Sequence, residues 1–217
     1  MNWFEPLDHY CERLGPGIWA EPLNAVSNAG FIVAAIVLWC QWRRLQHPTV
    51  PGLLLVANVF VIGIGSFLFH TFANRWSELA DVIPISLFIL FYLSVALRAY
   101  LHLIWWQSLL AVAAFLIFSQ VFTSWFASII GYTAAYLPAL MAIFAVGAAA
   151  ARKQPAIARG LLTAGLVFTA SVMFRAADLP LCGGLPYGTH MVWHLLNAMT
   201  LFLLVNLYLN RPVSAVP

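Results

Sequence analysis

The chain has 217 residues, of which 63% are hydrophobic and only 8% are charged, and its mean hydropathy is +0.90. Soluble domains usually carry roughly a quarter charged residues, so this composition excludes an ordinary soluble protein and indicates an integral membrane protein. The net charge of +3 is small and the chain has no basic run, which excludes a nucleic-acid partner. The sequence gives no sign of an obligate protein partner.

Seven stretches are long and apolar enough to cross a bilayer, which takes about 20 residues in a helix. They lie near residues 22–42, 51–73, 81–98, 103–124, 132–151, 157–175 and 189–209. We therefore expect an all-α membrane protein, a seven-helix bundle that forms a single domain over residues 1–217, with 1–21 as an outer tail. The loop between the fourth and fifth stretches is the least defined, because residues 124–133 carry no charge.

The basic residues predict the direction of insertion, because loops on the cytoplasmic side are enriched in Lys and Arg. One side carries Arg43, Arg44, Arg98, Arg152, Lys153, Arg159 and Arg211, and the other carries Arg13, Arg75 and Arg175. This places the N-terminus outside and the C-terminus in the cytoplasm. All seven carboxylates of the chain map to the outer end. Since acidic residues contribute little to topology, we interpret their clustering as a sign of a cation site.

Three histidines fall at one depth in this arrangement. His70 lies near the outer end of the second span, while His190 and His194 share one stripe of the seventh. Asp81 opens the third span, and Ser66 lies one turn from His70. Three neutral imidazoles and a water are a common ligand set of catalytic zinc, and a nearby carboxylate can act as general base. The alternative is that these polar residues only pack helices together, although ionisable groups inside membranes are functional by default.

The motifs resemble a known family. The segments G-S-x-x-F-H (65–70) and H-x-x-W-H (190–194), with Asp81 between them, are similar to those of the alkaline ceramidases. That family belongs to a superfamily of seven-helix hydrolases that also includes the adiponectin-receptor relatives. The block "YCERLGPGIWAEPLNAVSN" (10–28) resembles the ceramidases more narrowly. The resemblance covers the tail and spans one, two, three and seven, whereas spans four to six carry no matching motif.

The resemblance implies a function and roles for the site residues. Zinc would be bound by His70, His190 and His194, and the amide of a membrane lipid, an N-acyl sphingoid base, would be cleaved. Ser66 would help to stabilise the oxyanion, and Asp81 would carry a proton from water to the leaving amine.

Three alternatives stay open at this point. The chain is a receptor or sensor with structural zinc, another lipid-remodelling hydrolase of the superfamily, or a redox protein with haem between His70 and a histidine of span seven. The haem hypothesis leaves the third histidine and Asp81 without a role. The short loops suggest a bacterial inner-membrane protein whose site faces the periplasm.

Calcium is a further expectation from the resemblance, since eukaryotic relatives bind it with carboxylates of the tail. Glu12 and Glu21 match two of those positions, and Asp8 is displaced by one. The intervening segment is shorter, and Leu14 stands where an oxygen ligand is expected. The alternative is that the glutamates form ion pairs with Arg13, Arg75 or Arg175.

Cys11 and Cys182 both lie in outer segments, where an oxidising compartment lets disulfides persist. Their pairing is also implied by the ceramidase resemblance. The alternative is two free thiols.

Overall fold

A computed structural model of the chain describes residues 2–211 and consists of α-helices joined by short connections. The helices are α1 (Pro22–Ser27), α2 (Ala29–Arg43), α3 (Val50–Phe72), α4 (Arg75–Leu101), α5 (Trp105–Ile130), α6 (Leu137–Ala150), α7 (Pro155–Leu181) and α8 (His190–Leu209). A short 3-10 helix, Gly131–Tyr136, joins α5 to α6. The predicted all-α class is confirmed.

Within the described residues, six helical runs are long and apolar enough to cross a membrane by length and composition. The fourth run, Trp105–Ala150, is 46 residues long and contains α5, the 3-10 helix and α6. The sequence predicted two spans here, separated by a loop near 124–133. In the structure α5 continues to Ile130, and the break comes at Gly131, whose φ of +58° favours glycine.

Helix α4 begins earlier than predicted, at Arg75 rather than at Asp81. A capping box explains the start: the Ser77 N–H donates to the Asn74 side chain, and the Asn74 N–H donates to the Ser77 hydroxyl. These bonds satisfy amide groups that have no partner inside the helix. Helix α7 also exceeds its predicted end and reaches Leu181, so that Asp178 lies inside a helix.

Helix α8 packs against α2, α3 and α7, and α3 also packs against α4. Leu55 and Ile62 of α3 belong to the same buried cluster as Leu204 and Val205 of α8. This packing brings the last turns of α3 together with the first turns of α4 and α8.

The N-terminal tail docks onto this end of the bundle, which we call the tail end. The Leu7 N–H donates to the Ala73 carbonyl oxygen at 2.8 Å, and Pro6 forms an isolated bridge with Asn74. A disulfide joins Cys11 to Cys182, just after α7. The tail therefore touches both the α3–α4 connection and the α7–α8 connection.

Candidate metal centre and active site

Three buried histidines meet at the tail end of the bundle. His70 lies in the last turn of α3, His190 is the first residue of α8, and His194 follows one turn later. Each side chain offers one ligand nitrogen such that all three nitrogens lie within 4.8 Å of one another. The residues are only 1–2% exposed. Three imidazoles at this spacing can hold one metal ion.

The hydrogen bonding of the rings fits a metal. Nε2 of His70 and Nδ1 of His190 are buried and have no hydrogen-bond partner among the described residues. A buried polar atom without a partner costs roughly 1–3 kcal/mol, so such atoms are rare unless a ligand uses them. A metal ion would give such buried nitrogens a partner, and neutral imidazoles are its preferred form of this ligand.

Two residues before α2 orient the rings of His70 and His194. Nδ1 of His70 lies 2.6 Å from Glu21 Oε2, and Nδ1 of His194 lies 2.7 Å from Ser27 Oγ. The Ser27 hydroxyl donates its own proton to the Asn24 carbonyl, so it accepts from the imidazole. In both rings Nδ1 is thereby occupied and Nε2 is left for a metal, as in many metal–histidine–carboxylate arrangements.

Glu21 is an ionised acceptor in this network. Burial alone raises the pKa of its carboxyl, but hydrogen bonds from His70, Asn24 and Arg13 hold the pKa below the ordinary value. From the sequence, Glu21 is expected only as a calcium ligand or an ion-pair partner. Its contact with His70 joins residues 49 positions apart, which no local pattern signals.

Asp81 and Ser66 lie beside the histidine cluster. Asp81 is close to both Ser66 and His70, is only 8% exposed, and its Oδ1 has no partner among the described residues. Asp81 was predicted to open its helix, but Asn74 caps α4 and Asp81 lies within the helix. Its carboxylate is therefore not used as a helix cap.

Gly65 sets the close approach of α3 and α4 at this level. A Cβ atom at Gly65 would clash with the Ala80 carbonyl oxygen and would lie 3.3 Å from the Asp81 Cα. Only a glycine lets the two backbones come this near. Its absent side chain is what brings Asp81 next to Ser66.

Asp178 supports the cluster from α7. Its Oδ1 accepts the N–H groups of Thr189 and His190 at 2.7 and 2.9 Å, and its Oδ2 accepts the Cys11 N–H at 3.1 Å. A carboxylate at a helix N-terminus satisfies free amide groups and favours the helix dipole. Asp178 thus fixes the first turn of α8, where His190 begins. The sequence indicated only that it belonged to the acidic end.

Aromatic rings surround the cluster. Tyr10 stacks on His190 with ring centroids 3.8 Å apart, and burial raises the pKa of its phenol. The Arg175 guanidinium lies 5.0–5.9 Å from the ring centroids of Tyr10, Tyr136 and Trp193, within cation–π range. Trp193 packs against Tyr136, with ring centroids 4.7 Å apart. The tail thus covers one side of the centre.

The three carboxylates considered for calcium are not gathered into a cluster among the described residues. Glu12 accepts the N–H groups of Leu23 and Asn24 at 2.7 and 2.8 Å, Glu21 pairs with Arg13, and Asp8 is exposed. The calcium hypothesis stays a prediction. For Glu21 the alternative that the sequence left open, an ion pair with Arg13, is the observed contact.

An apolar cavity, partly open to the surface, begins one helical turn from the site. Ile62 lies one turn from Ser66, Ile85 one turn from Asp81, and Asn197 one turn from His194. From there the cavity runs between α4, α6, α7 and α8 to Ala96 and Leu204. Its lining is suited to a hydrocarbon chain.

The fold and the site together define a helical membrane protein with three buried histidines that could hold a metal ion, one helical turn from an apolar cavity. The chain belongs to the ceramidase family: the family model described as Ceramidase matches residues 10–211, which is most of the chain. This confirms the resemblance seen in the sequence, and membership implies a hydrolase that acts on amides. No curated protein matches the chain significantly.

Proposed function

We propose that the protein is a zinc-dependent intramembrane amidase that hydrolyses the N-acyl bond of ceramide-like sphingolipids to a sphingoid base and a fatty acid. Family membership supports ceramide hydrolysis in general. The observation that carries the finer proposal is the buried histidine cluster, which contains unpartnered nitrogens and has Asp81 and Ser66 next to it and an apolar cavity one helical turn away.

His70, His190 and His194 would hold the zinc ion, with Glu21 and Ser27 orienting two of the rings. Bound there, zinc would acidify a water molecule and polarise the amide carbonyl. Three protein ligands leave a position for water and substrate, which is the arrangement of catalytic rather than structural sites.

Asp81 has the position and the free oxygen for proton transfer. It takes the proton of the attacking water at Oδ1 and returns it to the nitrogen of the leaving amine, which departs as the sphingoid base. The Ser66 hydroxyl donates to the oxygen on which negative charge develops at the former carbonyl. The N-acyl chain lies in the apolar cavity, which is lined at one end by residues one turn from these groups.

We further propose that the chain crosses the membrane seven times as a single domain over residues 1–217. The run Trp105–Ala150 would measure about 69 Å as one straight helix, more than twice the hydrocarbon thickness of about 30 Å. Residues of both its helices, including Phe115 and Ala142, line one groove, which supports a reversal at the 3-10 helix. With the Lys and Arg distribution, the N-terminus and the site then face outward, towards the periplasm of a bacterial inner membrane.

The test is lipid mass spectrometry after incubating purified protein with a panel of N-acyl lipids, including ceramides of several chain lengths. We expect release of fatty acid and sphingoid base, one zinc per chain by metal analysis, and loss of both in His190→Ala. Bound zinc without turnover of any lipid amide would favour a sensor with structural zinc. Cleavage of non-sphingoid amides alone would assign a different lipid substrate.

A further inference from the structure

Arg13 is a buried arginine beside the metal centre. Its side chain is 4% exposed and its Nε donates to Glu21 Oε1 at 2.5 Å, while the Glu21 side chain is 2% exposed. Removing both charges from water offsets most of their attraction, so a buried ion pair contributes little net stability. Its place next to a metal ligand therefore calls for a reason other than stability.

The guanidinium is linked to His70 in two ways. The first is through Glu21, whose Oε2 lies 2.6 Å from Nδ1 of the His70 imidazole. Directly, Arg13 Nη2 donates to the His70 carbonyl oxygen at 3.4 Å. Arg13 holds Oε1, and Asn24 Nδ2 donates to Oε2 at 3.1 Å, so the carboxylate is held at both oxygens with Oε2 facing the ring. Arg13 thus fixes both the acceptor of His70 and the backbone that carries it.

Arg13 also donates hydrogen bonds to backbone carbonyl groups of the tail. Nη1 donates to the carbonyl oxygens of Gly15 and Gly17 at 3.1 and 3.5 Å. A carboxylate oxygen together with two backbone carbonyls is a set of hard oxygens that a divalent cation can also use. Here a guanidinium occupies the middle of that set, and arginine stays charged at every physiological pH.

We propose that Arg13 is a positioning residue of the metal centre: it acts as a built-in cation that locks Glu21 onto His70 and removes any need for a divalent cation at this place. The inference rests on the proposed metal site. Outer partners of this kind typically change metal affinity by about 10–100-fold when they are lost.

The experiment measures zinc affinity of the full-length protein in detergent, by competition with a chelator and without lipid substrate. Arg13→Met is expected to lower zinc affinity by about tenfold or more. The matched control is Arg75→Met, because Arg75 also pairs with a glutamate, Glu5, but on the surface at 2.7 Å with both side chains more than 40% exposed. The control should keep wild-type affinity.

A double variant separates positioning from a general structural role. If Arg13 acts through Glu21, then Arg13→Met/Glu21→Gln binds zinc as weakly as Glu21→Gln alone, within about twofold. Losses that multiply would overturn the route through Glu21. Arg13→Lys keeps the charge without the planar fork, and its zinc affinity should lie between those of the wild type and Arg13→Met. Wild-type affinity in Arg13→Lys would show that the fork does not orient Glu21.

The effect of calcium on thermal unfolding is an independent test of the proposal. Adding about 1 mM calcium, a concentration that saturates weak protein sites, should leave the unfolding temperature of the wild-type protein unchanged relative to a calcium chelator. The built-in cation and the calcium site expected from the resemblance are thus competing predictions for Glu21, and a calcium-dependent rise would support the calcium site and contradict the built-in cation. If the wild-type protein does not bind zinc, the metal site itself is wrong. A failure of the hydrolysis test, by contrast, would count against the proposed function and would not change the measured zinc affinities.

Discussion

Asp81 and Glu78 lie one turn apart on α4 and have different surroundings. Asp81 is buried beside Ser66 and His70, whereas Glu78 is half-buried and lies 3.6 Å from the imidazole of His9 in the tail. Of these two carboxylates, only Asp81 is placed to serve a reaction at the histidine cluster. The difference makes Glu78 a control for Asp81 on the same helix.

We predict that Asp81→Asn keeps near-normal zinc and loses at least about a hundredfold in amide hydrolysis, because Asn cannot accept the proton of the attacking water. The measurement is zinc content and turnover on one preparation, with Glu78→Gln expected to retain both. Wild-type turnover would remove Asp81 from the mechanism. Loss of zinc would instead make it a ligand or a direct support of one.

Among the contacts between helices, the site depends most on the close approach of α3 and α4. Gly65 allows it, because any side chain there meets the Ala80 carbonyl. By contrast, a Cβ at Gly147 of α6 would find its nearest neighbour, Leu161 Cβ, at 3.4 Å, an ordinary contact. A clash is therefore expected for Gly65→Ala, whereas Gly147→Ala fits into the space available.

Gly65→Ala is expected to force α3 and α4 apart, with a cost of roughly 1–3 kcal/mol in stability. Hydrolysis should fall by about a hundredfold, since a shift of about 1 Å between catalytic groups has such an effect. Thermal unfolding and turnover are compared with Gly147→Ala, which should remain near wild type in both. Equal behaviour of the two variants would mean that the helix contact does not set the geometry of Ser66 and Asp81.

The cavity between α4, α6, α7 and α8 extends as far as Ala96 of α4. Its length along α4, from Ile85 to Ala96, is about 16 Å at the usual rise per residue. If an acyl chain lies there, the far wall limits the chain length that is accepted.

Ala96→Phe should therefore shorten the preferred N-acyl chain. Losing burial of about two methylene groups costs about 1.6 kcal/mol, or roughly tenfold in kcat/KM for long-chain substrates, with short chains little affected. Ala148→Phe, on the exposed side of α6, is the control and should leave the profile unchanged. An unaltered chain-length profile in Ala96→Phe would place the acyl chain elsewhere.

At the scale of the whole molecule, orientation in the membrane decides which compartment the site faces. The tail carries Arg13 in a buried ion pair, whereas most of the other basic residues cluster at the opposite helix ends. We predict that a reporter fused to the C-terminus is cytoplasmic and that a tag before Trp3 is outside. Activity of complementary reporters, one for each compartment, checks this. The reverse pattern would put the histidine cluster at the inner leaflet.

The disulfide and the tail contacts also belong to this scale. Cys11 connects residues near the start of the chain to the end of α7, 171 positions away, and the same tail lays Tyr10 on His190 and Arg13 on Glu21. The tail is thus part of the candidate metal centre, although it lies outside the helices that carry the three histidines.

The sequence by itself determined the membrane class, the approximate helical stretches and the three candidate ligands. Each of these depends on local information: hydropathy over about 20 residues, and a spacing of four that puts His190 and His194 on one stripe. The family resemblance added the expected chemistry. The early start of α4 was also encoded locally, by Asn74 and Ser77, but the apolar pattern alone did not reveal it.

The tertiary structure alone decided what surrounds the ligands. Glu21 meets His70, Ser27 meets His194 and Asp178 caps the helix of His190, each across a long stretch of chain. The charge pattern could place these residues at one end of the bundle but could not pair them. Pairing depends on how closely the backbones approach, and that follows from packing at positions such as Gly65, where a missing side chain, rather than any chemical group, sets the distance.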